Sequence, residues 1–314
     1  MKLGLQLPQR AAAVKAADLT AFARDAEQAG YASLWAYERV LFPLQPADGM
    51  YGVPGLPWDP YYQDCADPLT VLGMAAAVTE RVRLGTALLV APLHHTLLLA
   101  RALATLDVAT GGGRVVAGLG GGWSTDEYRA IGADFTARGR SMDETAQALR
   151  ALWGPDPVTY RNSAISIDHA LVNPKPAGPI PLVFGGSSPA AFRRIAAHGD
   201  GWFPVGTTGE PLAAAWRRLR ELTEATGRDP DRLLLLPVAI VHLSDRPAGA
   251  DRMPFQGSLD QVLDDLAGAA KAGAHEAILS LDRTPGDPAA TDPAALAERA
   301  AALHTAARSA GLLD

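Results

Sequence analysis

Short β-rich runs alternate with longer stretches of helical periodicity along the whole 314-residue chain, and this alternation constrains the fold more than any other feature. A helix after every strand carries the chain back to the edge where the strand began, so consecutive strands run parallel. The predicted strands cover 3–7, 33–37, 83–90, 114–119, 181–184, 201–205, 233–242 and 277–281. Helix signals fall between them. Gly30 stops the first helix, Asp67-Pro68 opens the second, and Ser141-Met142-Asp143-Glu144 reads as a capping box opening the fourth. Ser188-Pro189, Ser258 with Gln261, and Asp292-Pro293 start later ones. Eight strand–helix pairs fit an α/β fold of the (β/α)8 TIM-barrel type better than an open sheet. No linker or shift in composition divides the chain, so a single barrel domain spanning 1–314 is expected. The one long irregular segment, 40–67, is rich in proline and glycine and reads as a loop inserted after strand two.

Composition narrows the classes of function. The formal charge is −6, and lysine and arginine are not clustered, which argues against nucleic acid as a partner. The single cysteine, Cys65, excludes an internal disulfide and the zinc patterns that need several cysteines. The first residues carry one lysine and no long apolar core, so no signal peptide is expected. No run approaches the roughly 18 apolar residues of a membrane span. The expected location is the cytoplasm.

The stretch RVVAGLGGGW, 114–123, runs a strand into a glycine loop. A dinucleotide fingerprint starting at Gly118 would need its third glycine where Trp123 stands. A phosphate-loop reading fails as well, because no lysine follows. In a (β/α)8 barrel the active site lies at the C-terminal ends of the strands. Those ends carry Gln6 and Pro8 after strand one, Tyr37-Glu38-Arg39 after strand two, residues 89–95 after strand three and the glycine loop after strand four. Gly185-Gly186-Ser187-Ser188-Pro189 follows strand five, and Gly206-Thr207-Thr208-Gly209 follows strand six. Two glycines beside a Ser-Pro helix start expose backbone amides at the positive end of a helix dipole, which suits a phosphate and also suits a plain helix cap. A barrel aldolase would need a Schiff-base lysine or metal carboxylates at strand ends, and Lys2, Lys15, Lys175 and Lys271 stand elsewhere.

The text from Arg81 to Trp123, RVRLGTALLVAPLHHTLLLARALATLDVATGGGRVVAGLGGGW, resembles the luciferase-like monooxygenase superfamily, more narrowly its branch that uses the deazaflavin coenzyme F420. Further matching text is ARGRSMDETAQALRALW from Ala137 and VNPKPAGPIPLVFGGSSPAAFRRIAAHGDGWFP from Val172. The resemblance implies a luciferase-like (β/α)8 barrel and an oxidoreductase that transfers hydride between F420 and a small organic substrate. It leaves open an FMN monooxygenase served by a partner enzyme that reduces the flavin, and a cofactor-binding barrel without turnover. A homodimer is the common assembly of such relatives. The residues expected to face the cofactor are Gln6, Thr86, Ala87, Leu88, Gly120, Gly121, Gly122, Asp126, Gly185, Gly186, Ser187, Ser188, Val205, Gly206 and Thr207. Relatives place a non-proline cis peptide in the segment matching Thr86-Ala87-Leu88, and their glycine loop lies under the cofactor ring.

Glu38 and Arg39 are the candidate catalytic pair. Many relatives have histidine where this chain has Arg39. A guanidinium does not shuttle protons near neutral pH, so Arg39 either meets an anionic substrate or the reduced ring, or forms an ion pair with a carboxylate. His94-His95 lacks carboxylate or cysteine neighbours at ligand spacing, so it reads as helix-entry packing and no metal is expected. Asp126 and Glu127 either reach the cofactor or complement a helix dipole. Tyr37, Trp58, Tyr61, Tyr62 and Trp123 either wall a substrate pocket or pack the long loop onto the barrel.

Overall fold

The computed structural model describes residues 1–10, 14–284 and 287–314. Eight parallel strands form its barrel: β1 (Lys2–Gln6), β2 (Ser33–Ala36), β3 (Arg83–Thr86), β4 (Val115–Gly120), β5 (Leu182–Gly185), β6 (Gly201–Phe203), β7 in two pieces (Leu234–Leu235 and Val238–Ile240) and β8 (Glu276–Ser280). The first piece of β7 pairs with β6 and the second with β8, which closes the ring. The break falls at Pro237, which has no N–H to give to a ladder. The carbonyl of Pro237 still accepts from Ile278 N at 2.8 Å, and Leu236 N donates to Trp202 O at 2.9 Å, so the seam stays bonded.

Strands covered on both faces are expected to be apolar throughout, and all five residues of β8 are buried. Alternation still sorts them. Leu34 and Ala36 of β2 face the surrounding helices, while Trp35 between them joins Val116, Val183, Phe203, Leu236, Val238 and Ile278 inside the barrel. The barrel is therefore a filled core. Glu276 lies near its floor, bonded to Arg83 and Ser33.

The barrel helices are α1 (Ala16–Ala29), α2 (Pro68–Ala76), α3 (Thr96–Ala109), α4 (Arg138–Trp153), α5 (Pro189–His198), α6 (Gly209–Ala225), α7 (Leu259–Lys271) and α8 (Pro293–Ser309). Asp67, Ser188, Ser258 and Asp292 accept first-turn amides as the sequence predicts, and Gly30 ends α1 with φ 103°. The start of α4 differs. Asp134 accepts from Thr136 N and Oγ1 at 2.8 and 2.7 Å, turning the chain early, so the helix begins at Arg138 and Ser141 lies within it. The capping-box reading at Ser141 is therefore incorrect. An antiparallel hairpin, Val158–Arg161 with Ser166–Ala170, separates α4 from β5 and was not foreseen. A short helix, Thr125–Ile131, follows β4, and the 40–67 loop contains two 3-10 turns, Met50–Gly52 and Pro60–Gln63.

The predicted third strand is interrupted. After β3 the Ala87–Leu88 peptide is cis, and Leu89–Val90 then pairs with β4 again. Thr86 Oγ1 donates to Gly118 O and accepts from Gly118 N, both at 2.8 Å. A Cβ on Gly118 would lie 1.8 Å from the Thr86 carbonyl oxygen. Gly118→Ala should therefore cost at least the ~1–3 kcal/mol of an overpacked core. Gly73→Ala, in α2 with open space around the new Cβ, should be neutral or stabilising by ~0.5–1 kcal/mol. Urea melts of the two variants check this; equal losses would contradict the close strand approach.

Candidate active site

A cavity of about 380 Å³ opens at the C-terminal ends of the strands. One wall is an apolar bed of Ala87, Leu88, Val90, Gly120 and Gly122, formed by the interrupted third strand and the end of β4. Phe203, Val238 and Ile240 also line the cavity, while Gln6, Tyr37, Glu38, Arg39, Trp123 and Arg283 supply polar and aromatic groups. The glycines serve this bed indirectly. A Cβ on Gly120 would meet Leu88 Cδ1 at 3.1 Å, and one on Gly185 would meet the same atom at 2.4 Å, so bare backbone on β4 and β5 makes room for Leu88.

A second chamber of about 380 Å³ shares Leu88, Gly186, Phe203 and Val205 with the first. It continues past Gly185, Ser187, Pro204 and Thr207 beside the start of α5. Gly186 has φ 93°, a conformation that L side chains rarely adopt, and its carbonyl accepts from Trp202 Nε1 at 2.9 Å. Ser188 Oγ accepts from Ala191 N at 3.2 Å, so this hydroxyl caps the helix. Gly206 N is already given to Val238 O at 3.0 Å, which removes it as an amide donor to a phosphate.

Glu38 is buried and doubly held: Oε2 accepts from Val90 N at 2.7 Å, and Oε1 lies 2.8 Å from His94 Nε2. His94 thus does more than pack at a helix entry. Burial by itself would lower its pKa, but the Glu38 hydrogen bond and charge outweigh that and raise it above the ordinary 6.5. Among the described residues no group of three or more histidine, cysteine or acidic side chains is arranged to hold a metal.

Arg39 forms the ion pair that the sequence allowed and also lines the cavity. Nη2 pairs with Glu127 Oε2 at 3.3 Å, and Nε donates to Glu38 O at 2.8 Å, while Nη1 is buried without a partner. Its Cζ sits 4.8 Å from the Trp123 ring centre and 5.7 Å from that of Tyr62. Burial pushes the Glu127 carboxyl up despite the Arg39 charge, and the carboxylate also accepts from Val40 N at 2.8 Å.

Several expected cofactor contacts stand elsewhere. Asp126 accepts from Ala47 N at 2.8 Å and pairs with Arg129 at 3.2 Å, so it fastens the long loop and does not line either chamber. Gly121 gives its carbonyl to Tyr128 OH at 2.6 Å, and buried Thr86 is spent on Gly118; neither lines a chamber. Trp58 packs behind Trp123 with ring centres 4.4 Å apart. Tyr61 lies behind the wall, accepting from Gln6 Nε2 at 2.8 Å and donating to Asp282 Oδ2 at 3.1 Å. Tyr37, Tyr62 and Trp123 do face the first chamber. Sequence reasoning missed Asp282 and Arg283, which follow β8; the strand-end rule applied to the first six strands would have found them there.

The geometry defines a (β/α)8 barrel with a largely apolar chamber that shares lining residues with a second one beside a helix N-terminus. A family model described as luciferase-like monooxygenase matches residues 1–307, and the chain belongs to that family. An uncharacterised protein of Mycobacterium tuberculosis is 33% identical over 288 residues, 90% of this chain and 92% of the relative. The F420-dependent glucose-6-phosphate dehydrogenase of Beutenbergia cavernae is 34% identical over 201 residues, 62% of this chain and 54% of that enzyme. A solved F420-dependent secondary alcohol dehydrogenase shares the fold at a TM-score of 0.71, with 18% identity, covering 96% of this chain and 99% of its own.

The His94 shift gives a pH dependence. A histidine with a raised folded pKa stabilises fully below its unfolded value, near 6.5, and loses that contribution as pH rises through the higher folded value. The stability gap between wild type and His94→Ala should therefore be larger at acid than at alkaline pH. Denaturation at both pH values checks this; a gap that widens with rising pH would contradict the pairing with Glu38.

Proposed function

We propose that this chain is an F420-dependent oxidoreductase that moves a hydride between the deazaflavin and a small organic substrate. The observation that carries the reading is the pair of adjoining chambers: an apolar bed that shares Leu88, Gly186, Phe203 and Val205 with a glycine-lined loop at the N-terminus of a ten-residue helix. That arrangement fits a planar ring joined to a phosphorylated chain. Membership in the luciferase-like family and similarity to an F420-dependent dehydrogenase support it. The deazaflavin, when bound, accepts or delivers the hydride at its central ring.

The chain's own residues supply position and dryness. Ala87, Leu88 and Val90 support the ring face, and Gly186, Ser187 and Thr207 surround the phosphate end. The helix dipole and backbone amides attract the phosphate there, with Ser187 and Thr207 as neutral donors. Tyr51, Tyr62 and Trp123 limit water in the first chamber. Arg39 holds a fixed positive charge at the cavity wall and stabilises negative charge on the reduced ring or the substrate. Proton handling falls to Glu38 and the His94 imidazole behind it, because the guanidinium does not release a proton near neutral pH.

Titration with F420 and FMN in parallel, followed by quenching of cofactor fluorescence, tests the reading. F420 should bind at least about tenfold more tightly, a gap of ~1.4 kcal/mol. Tighter FMN binding would favour an O₂-using monooxygenase served by a flavin reductase. Tight F420 binding without turnover across alcohols, aldehydes and acids would favour a binding barrel. Gly120→Val should drive Leu88 into the chamber and weaken F420 about tenfold or more with the fold retained; unchanged affinity would contradict the bed.

A further inference from the structure

One side of the chamber mouth carries charge that hydride transfer alone does not require. Arg283 follows β8, Gln6 ends β1 and Arg39 follows β2, and these three strands are neighbours in the barrel. The loops after β5 and β6 lie across the ring from them. The guanidinium of Arg283 is half-buried among phenols, with its Nε fully covered. Nη2 donates to Tyr62 OH at 2.6 Å, and Cζ lies 4.4 and 5.0 Å from the ring centres of Tyr61 and Tyr62.

No acidic side chain of the described residues forms an ion pair with Arg283, and its Nε is buried without an acceptor. The neighbouring Asp282 turns its carboxyl to Tyr61 OH and Ser280 Oγ instead. Burial raises the Asp282 pKa despite the Arg283 charge, which weakens it as a counter-ion. Two more groups of the same cavity wall are unsatisfied: Arg39 has its buried Nη1 free, and the Tyr37 hydroxyl is buried with no partner. All three orphans can serve as donors, and a guanidinium accepts nothing. Among the described residues the one carboxylate lining the chamber, Glu38, is already committed to Val90 N and His94. The phenols and Asp282 hold Arg283 in its charged form, and a ligand bearing several acceptor oxygens would use the donors they leave unpaired.

We propose that the organic substrate carries an anionic group, a carboxylate or a phosphate monoester, and that Arg283 binds it with the Tyr37 hydroxyl and Arg39 as neighbouring donors. The inference rests on the oxidoreductase reading for what happens to the rest of the substrate. It assigns the barrel mouth two anion sites on opposite rims. Neutral amides at Gly186 take the cofactor phosphate, and guanidiniums across the mouth take the substrate. A substrate held this way spans the mouth toward the bed that supports the ring.

The test uses the full chain without cofactor and reads the change in intrinsic tryptophan fluorescence, to which Trp123 contributes with its ring 4.8 Å from the Arg39 guanidinium. Acetate and inorganic phosphate are the anionic probes, separating the two sources of charge, and acetamide is the neutral control. At least one anion should bind saturably, and acetamide should not. Arg283→Gln should weaken that anion about tenfold or more, as expected for lost charge-assisted hydrogen bonds. Arg283→Lys should fall between; if the Gln variant does not fold, the weakened affinity of the Lys variant decides. F420 affinity should not change in either. Equal anion binding by wild type and both variants, equal binding of acetamide, or no saturable binding of either anion would overturn the proposal. Saturable, Arg283-dependent anion binding in a chain that fails to bind F420 would sink the oxidoreductase reading and leave this one standing.

Discussion

The approach of β3 to β4 at Thr86 and Gly118 sets the shape of the whole active end. Thr86 replaces a ladder bond with its hydroxyl, donating to and accepting from the backbone of Gly118. That frees the chain after Thr86 to leave the strand line, place Ala87 and Leu88 against the cavity, and rejoin β4 at Leu89 and Val90. Glu38, from the next strand over, then fixes the returning segment through Val90 N. Side chains larger than hydrogen at Gly118, Gly120 or Gly185 would meet either this backbone or Leu88 itself. Gly118, Gly120 and Gly185 are thus explained by protein packing, and the apolar wall around Leu88 is its consequence.

Electrostatic design differs between the two rims. The loop after β5 offers amides, a helix dipole and hydroxyls but no cation, which suits a phosphate that is one part of a large cofactor. The opposite rim holds Arg39 and Arg283 in aromatic boxes, with Glu127 balancing only the first. Cation–π contact keeps both guanidiniums in place while leaving hydrogen-bond donors unspent. Arg39 brings permanent charge to the cavity wall, and the adjacent Glu38 pairs with the His94 imidazole at 2.8 Å.

Much of the fold was readable because strand–helix alternation and helix caps are local signals. Eight strands closed into a barrel as the periodicity implies, and Asp67, Ser188, Ser258 and Asp292 cap the helices they were expected to cap. Features that depend on contacts distant in sequence were not. Ser141 looked like a cap because its pattern is local, but the turn at Asp134 had already started the helix. Asp126 looked free for a ligand until the long loop returned Ala47 to it. His94 and Glu38 stand 56 residues apart, and nothing in either neighbourhood announces the other. Arg283 was legible in principle, since a charged residue just past a barrel strand points to the active end whichever strand it follows.

The central claim is that one molecule bridges the Leu88 bed and the β5 loop, with its phosphate at Gly186. Comparing the affinity of F420 with that of its form lacking the phosphate-linked tail, on wild type and on Gly186→Asp, tests this most directly. The account predicts that wild type favours the phosphorylated form by about tenfold or more, the worth of one to two charge-assisted hydrogen bonds. Gly186→Asp should lose most of that preference while still accepting the bare ring system. Equal affinity of wild type for the two forms would contradict the account and place the phosphate outside the second chamber.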